Sequence, residues 1–155
     1  MAIEQGDALP DLELAGAEGT TLRLRDKVGA PFVLYFYPKD DTTGCTREAQ
    51  DFSALYPDFR AAGVELLGVS PDTPAKHAKF TAKYDLTVPL ASDEAHAVME
   101  AFGVWVEKSM YGRTYMGVER STFLFAADGT LAQVWRKVRV AGHAEQVLAA
   151  AKALG

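Results

Sequence analysis

The chain has 155 residues, 48% hydrophobic and 24% charged, with a formal net charge of -5. That is the size and balance of one compact soluble domain over residues 1–155. The acidic excess, with no basic stripe interleaved with aromatics, argues against nucleic acid as a partner. No apolar run reaches membrane-spanning length, and Met1 to Asp7 has no basic stretch ahead of an apolar one. Neither a membrane nor a Sec-type signal is therefore expected, and a cytoplasmic location is.

Phe32-Val33-Leu34-Tyr35-Phe36-Tyr37 is a continuous β-branched and aromatic run that ends at Pro38 and reads as a buried central strand. A polar turn, Lys39 to Gly44, leads to a helix beginning near Cys45. Ala49, Phe52, Leu55 and Phe59 lay an apolar stripe along it, and Gly63 stops it. Val64 to Ser70 is the next strand. Asp72-Thr73-Pro74 supplies a cap and a helix-opening proline, which predicts a helix over Pro74 to Tyr84.

Leu90 to Ser92 reads as a minor strand, followed by Asp93 as the cap of a helix from Glu94 to about Phe102. Gly103 to Arg120 shows no clear period and reads as an irregular loop flanking the candidate site. Ser121 to Ala126 and Leu131 to Val138 are strands joined at Asp128-Gly129, a hairpin signal. A last helix, from about Gly142 to Leu154, buries Val147, Leu148, Ala151 and Leu154. Alternating strands and helices with a closing hairpin predict an α/β fold: a mixed central β-sheet with helices on both faces.

Cys45 is the only cysteine, so no internal disulfide is possible. His77, His96 and His143 fall in separate predicted helices without ligand spacing, so they read as surface or capping residues; no metal or other cofactor is expected. Asp40-Asp41 reads as a solvated turn. Cys45 lies just past the carboxyl end of the first strong strand, where chemistry collects in such sheets, and in the first turn of a helix. Unpaired N–H groups and the helix dipole favour the thiolate there. The dipole contributes about 0.3–1 kcal/mol, or about 2 when partly buried. Bringing a thiol from about 8.5 to about 6 takes roughly 3.4 kcal/mol. A second cation is needed, and Arg47, two positions along the helix, points away. Thr42, three residues earlier, can share a side with the sulfur, donating to it or accepting from a bound substrate. Pro38 offers a rigid apolar wall with no N–H.

The spacing Pro38-x-x-x-Thr42-x-x-Cys45 resembles the active-site signature of the peroxiredoxins. Phe32 to Glu48, Pro71 to Asp93 and Gly112 to Gly129 are similar to the Q-type, or bacterioferritin comigratory protein, branch. The resemblance implies a thioredoxin-like fold and a thiol-dependent peroxidase acting on hydrogen peroxide and organic hydroperoxides. It also implies that the missing cation is Arg120, with Glu48 orienting it. The Cys45 thiolate would displace alcohol or water from ROOH and become a sulfenic acid. Resolving cysteines in the branch stand where this chain has Gln50 or Thr81. The cycle is therefore expected to close on an external thiol (glutathione, glutaredoxin or thioredoxin) or through a Cys45–Cys45 disulfide between chains. A small thiol or glutaredoxin-type partner is preferred, because thioredoxin normally attacks a disulfide already formed.

The branch further suggests a monomer or weak homodimer. The alternative is a peroxide sensor passing oxidation to a partner by mixed disulfide. A disulfide oxidoreductase is disfavoured, since Cys45-Thr46-Arg47-Glu48 lacks a second cysteine. Met110, Tyr111, Tyr115 and Met116 read either as a collar for organic hydroperoxides or as packing beneath the 103–120 loop.

Overall fold

The computed structural model describes residues 3–16 and 20–154. Its elements are β1 (Glu13–Ala15), β2 (Thr21–Arg23), a 3-10 turn (Leu24–Lys27), β3 (Phe32–Phe36), α1 (Thr43–Ala61), β4 (Glu65–Ser70) and α2 (Pro74–Tyr84). There follow β5 (Leu90–Ser92), α3 (Ala97–Phe102), β6 (Trp105–Met110), β7 (Arg113–Val118), β8 (Ser121–Phe125), β9 (Leu131–Trp135) and α4 (His143–Leu154). Seven strands form one sheet in the order β2-β1-β5-β4-β3-β8-β9; β6 and β7 pair only with each other. β3 runs parallel to β4 and antiparallel to β8, so the sheet is mixed.

Period-two alternation divides the core between the two faces. Phe32, Leu34 and Phe36 of β3 join Val98, Met99 and Phe102 of α3 on one side. Val33 and Tyr35 join Phe52 and Phe59 of α1, Phe80 of α2 and Val147 of α4 on the other. The fold is the thioredoxin-like α/β arrangement with helices on both faces. Because β3 is covered on both sides, it reads as an unbroken apolar run, and β4 is buried from Leu66 to Ser70.

Several sequence expectations are corrected. β1 and β2, three residues each, carried no period that the sequence could reveal. The stretch expected to be an irregular loop is instead the β6–β7 hairpin, in register from Trp105↔Val118 to Met110↔Arg113. Its two turn residues, Tyr111 (φ 52°) and Gly112 (φ 76°), are both left-handed, as a type I′ turn requires. Most of its side chains are at least partly exposed, so no alternation marked it. Met110, Tyr111, Tyr115 and Met116 are exposed on this hairpin rather than packed beneath a loop. The helix expected from Glu94 begins at Ala97: His96 adopts the left-handed region (φ 65°), and Asp93 accepts the Met99 N–H at 2.8 Å.

The readings of His77, His143 and Asp40 also change. His77 and His143 are buried, as is Asp40, while half-buried His96 stacks on Trp105 with ring centroids 3.7 Å apart. Asp41 is exposed but paired, receiving Lys83 Nζ at 2.8 Å and the Tyr84 hydroxyl. Among the described residues, no helix is long and apolar enough to cross a membrane.

Candidate active site

β3 ends at Phe36, and the chain passes through Tyr37, half-buried Pro38 and the Lys39–Asp41 turn into α1. Thr42 is the N-cap of α1, in extended conformation. The first ladder bond is Thr46 N–H to the Thr42 carbonyl at 2.8 Å, so the N–H groups of Thr43, Gly44 and Cys45 lie ahead of the ladder. Cys45 is a free thiol in this first turn and is 2% exposed.

Antiparallel pairing explains how a residue 75 positions away reaches it. The register Phe36↔Ser121 sets the start of β8 beside the end of β3, where the chain turns into α1. Arg120 immediately precedes β8, and its carbonyl accepts the Val138 N–H at 3.0 Å. Its guanidinium forks between two partners: Nη2 donates to Cys45 Sγ at 3.2 Å, and Nη1 donates to Glu48 Oε1 at 2.6 Å. Glu48 stands one turn after Cys45 on the buried side of α1. A planar donor fork held by a carboxylate is oriented in a way that a lysine would not be.

The electrostatics follow from burial. Burial pulls the Arg120 guanidinium down, but Glu48 and the Cys45 sulfur outweigh it, and the net shift is upward. Burial pushes Glu48 from 4.5 to about 7 against the opposing pull of Arg120. Its Oε2 is buried with no hydrogen-bond partner among the described residues. His143, which meets the Thr122 hydroxyl oxygen at 2.8 Å, is pushed down from 6.5 to about 4, by burial first and by Arg120 second.

The five residues singled out from the sequence thus occupy one segment and its β8 neighbour. Arg120 is in direct contact with both Cys45 and Glu48. The Thr42 hydroxyl donates to the Lys39 carbonyl at 2.9 Å, which leaves its lone pairs as acceptors. Arg47 is exposed, 3.9 Å from Asp51.

Residues 5–134 match the model of the AhpC/TSA family. Over 143 residues the chain is 52% identical to Peroxiredoxin Bcp of Xanthomonas campestris, covering 92% of this chain and 89% of that protein. The chain is a peroxiredoxin of the AhpC/TSA family. Peroxiredoxin Bcp of Bacillus subtilis is 48% identical over 148 residues, covering 96% of this chain and 94% of its own length. Among solved structures, the Xanthomonas campestris bacterioferritin comigratory protein, studied for its alkyl peroxide reduction activity, superposes with a TM-score of 0.89. It is 50% identical and covers 95% of this chain and 98% of its own. As a Q-type, or Bcp, peroxiredoxin the chain is a thiol-dependent peroxidase, and its single cysteine fits a one-cysteine mechanism; these relatives do not favour the peroxide-sensor alternative.

Two features of this peroxiredoxin escaped sequence reasoning. A Cβ on Gly44 would meet Arg120 Nη2 at 3.1 Å, so this glycine leaves the space in which the guanidinium crosses the start of the helix. Only the tertiary pairing of β3 with β8 reveals that. The second is a buried network behind the Lys39–Asp41 turn. Asp40 accepts the Tyr37 hydroxyl at 2.6 Å and meets His77 Nδ1 at 2.6 Å. His77 Nε2 faces the Ala91 carbonyl at 2.9 Å. Asp72 accepts the Asp40 N–H at 2.8 Å and the Ser70 hydroxyl at 2.7 Å. The residues of the network lie up to 54 positions apart, and only the Tyr37–Asp40 and Ser70–Asp72 contacts were local.

Proposed function

We propose that this peroxidase, as one domain over residues 1–155 in the cytoplasm, reduces hydrogen peroxide and organic hydroperoxides through Cys45. On this reading an external thiol returns it to the resting state, and the chain works as a monomer or weak homodimer. The observation that carries the reading is the 3.2 Å contact of Arg120 Nη2 with Cys45 Sγ at the first turn of α1. A charged donor at that distance stabilises negative sulfur, and the thiolate is the nucleophile.

The thiolate attacks the distal oxygen of ROOH along the O–O axis. An S–O bond forms as the O–O bond breaks. RO⁻ departs and takes a proton from solvent to become alcohol or water, leaving Cys45 as sulfenic acid. Arg120 and the Cys45 N–H donate to the oxygens on which charge develops. The Thr42 oxygen, its own proton engaged by Lys39, accepts the hydroperoxide O–H. Half-buried Pro38 keeps water off the sulfur, and Glu48 holds Arg120 in place. Gln50 and Thr81 supply no thiol, so glutathione or a glutaredoxin-type partner is the preferred reductant, ahead of thioredoxin.

The test is to mix the reduced protein with one equivalent of peroxide, measuring peroxide loss and the mass of the Cys45 peptide. Stoichiometric loss with one oxygen added at Cys45, trapped by a sulfenic-acid reagent, is expected. Unchanged peroxide and an unmodified thiol refute the assignment.

A further inference from the structure

The turn that feeds α1 has a second face. There, Lys39 and Asp41 of the turn and Lys76, Lys79, Phe80 and Lys83 of α2 enclose a cavity of about 240 Å³. Lys76, Lys79 and Lys83 follow one another at i, i+3 and i+7, which places them along one face of α2. Four of the chain's 16 basic residues therefore meet at one cavity, although the molecule carries a net charge of -5.

Four lysines and three aspartates line the cavity, an excess of one positive charge. Lys83 is engaged by Asp41. Asp40 and Asp72, which also border the cavity, are turned to His77, Tyr37, Ser70 and the Asp40 N–H rather than to the lysines. Among the described residues, Lys39, Lys76 and Lys79 form no ion pair. The cavity borders the turn that leads into the reactive segment, through Lys39, Asp40 and Asp41. Its Phe80 belongs to the same packed cluster as Tyr37 and Cys45. The Lys39 carbonyl is tied to the Thr42 hydroxyl, three residues before the sulfur.

We propose that this cavity binds the reductant, a low-molecular-weight thiol bearing carboxylates, of which glutathione is the representative. The proposal rests on the one-cysteine reading above and adds the class of thiol and where it binds. Three features select this ligand. Cys45 is 2% exposed, which favours a small thiol over a folded redoxin. The cavity lies below the roughly 300–1,000 Å³ of drug-sized ligand sites, so it holds part of a small molecule. Three unpaired ammonium groups around an aromatic floor match carboxylates on a short organic chain. The chemistry balances: Cys45–SOH and RSH give Cys45–S–SR and water, and a second RSH gives Cys45–SH and RSSR. The two thiols supply the two electrons.

The experiment compares wild type with a Lys76→Gln/Lys79→Gln double variant in steady-state peroxidase assays. The thiols are glutathione and uncharged 2-mercaptoethanol, used with the same peroxide. The expected result is a kcat/KM for glutathione about five- to tenfold lower in the variant, from two modest ion contacts, with 2-mercaptoethanol unaffected. The wild-type preference for glutathione should also shrink as salt is raised. The single-turnover reaction of reduced protein with peroxide should be equal in both proteins, which shows that the variant is folded and its oxidation step intact. Equal glutathione kinetics in the two proteins, or an equal loss with both thiols, overturns the proposal. So does turnover supported only by a redoxin and lowered in the variant, because the lysines would then be a protein-docking face. Absence of the single-turnover reaction in wild type would instead refute the peroxidatic role of Cys45.

Discussion

Two buried polar clusters flank the Pro38–Thr42 segment, and they differ in what they leave open. In the Asp40–His77–Asp72 network both Asp40 oxygens and both His77 nitrogens have partners within 2.9 Å. In the Cys45–Arg120–Glu48 cluster, Glu48 Oε2 has no partner among the described residues, and Cys45 meets a single donor side chain. A closed network fixes geometry; an open one has capacity for a substrate and for changing charge. The first should therefore govern stability and the second reactivity.

The sharpest separation comes from Cys45→Ser. It should abolish peroxide consumption while changing unfolding free energy by no more than about 1 kcal/mol, as measured by urea denaturation, because one sulfur is exchanged for a smaller polar atom. Asp40→Ala should do the reverse in stability, costing about 3–5 kcal/mol by leaving His77 and the Tyr37 hydroxyl without their buried partner. A stability loss below about 1 kcal/mol would show that the network does not hold the turn.

The pH dependence of stability probes the second cluster and its neighbour His143. Glu48 titrates at about 7 in the folded chain, above its ordinary 4.5, so the folded state binds the proton more tightly. Its contribution is therefore greatest below about pH 4.5 and falls as pH rises to about 7, by about 3 kcal/mol. His143, depressed from 6.5 to about 4, acts oppositely: its contribution is full above pH 6.5 and is lost as pH falls towards 4. The two slopes oppose each other between about pH 4.5 and 6.5. Glu48→Gln removes one of them, so its stability relative to wild type should rise by about 3 kcal/mol from pH 4.5 to 7 in urea titrations. A constant difference across that range would mean that Glu48 is not held as burial predicts.

The smallest effect concerns Gly44. Gly44→Ala places a methyl 3.1 Å from Arg120 Nη2, and a displacement of the guanidinium by a few tenths of an ångström should slow single-turnover peroxide reduction about fivefold, the equivalent of about 1 kcal/mol. Thermal stability should be unchanged or higher, since alanine is the better helix former. A loss of stability with an unchanged rate would reverse the assignment of this glycine.

The legible part of the site is the local part. Pro38, Thr42 and Cys45 lie within eight residues, and a strand running into a helix gives their spacing a physical meaning. Arg120 needed the family resemblance to be paired with Cys45, and the β3–β8 register supplies the reason. The main strands and α2 were readable because their burial imposes a pattern: Pro74–Tyr84 and Leu90–Ser92 have the bounds expected of them. The β6–β7 hairpin was not readable, because most of its side chains are at least partly exposed and no period forms. Nor were the buried roles of His77 and His143, or the meeting of Asp40 with His77 and Asp72, because those partners come from distant strands and helices.

The central claim is that Arg120, braced by Glu48, makes Cys45 reactive. Stopped-flow measurement of the second-order rate constant for one equivalent of peroxide, in wild type and in Arg120→Met, addresses it directly. Methionine keeps the apolar bulk and removes the fork. The rate constant should fall about 100-fold or more, as for loss of an oriented donor at a developing charge, with the fold retained. A rate within about twofold of wild type would contradict the account.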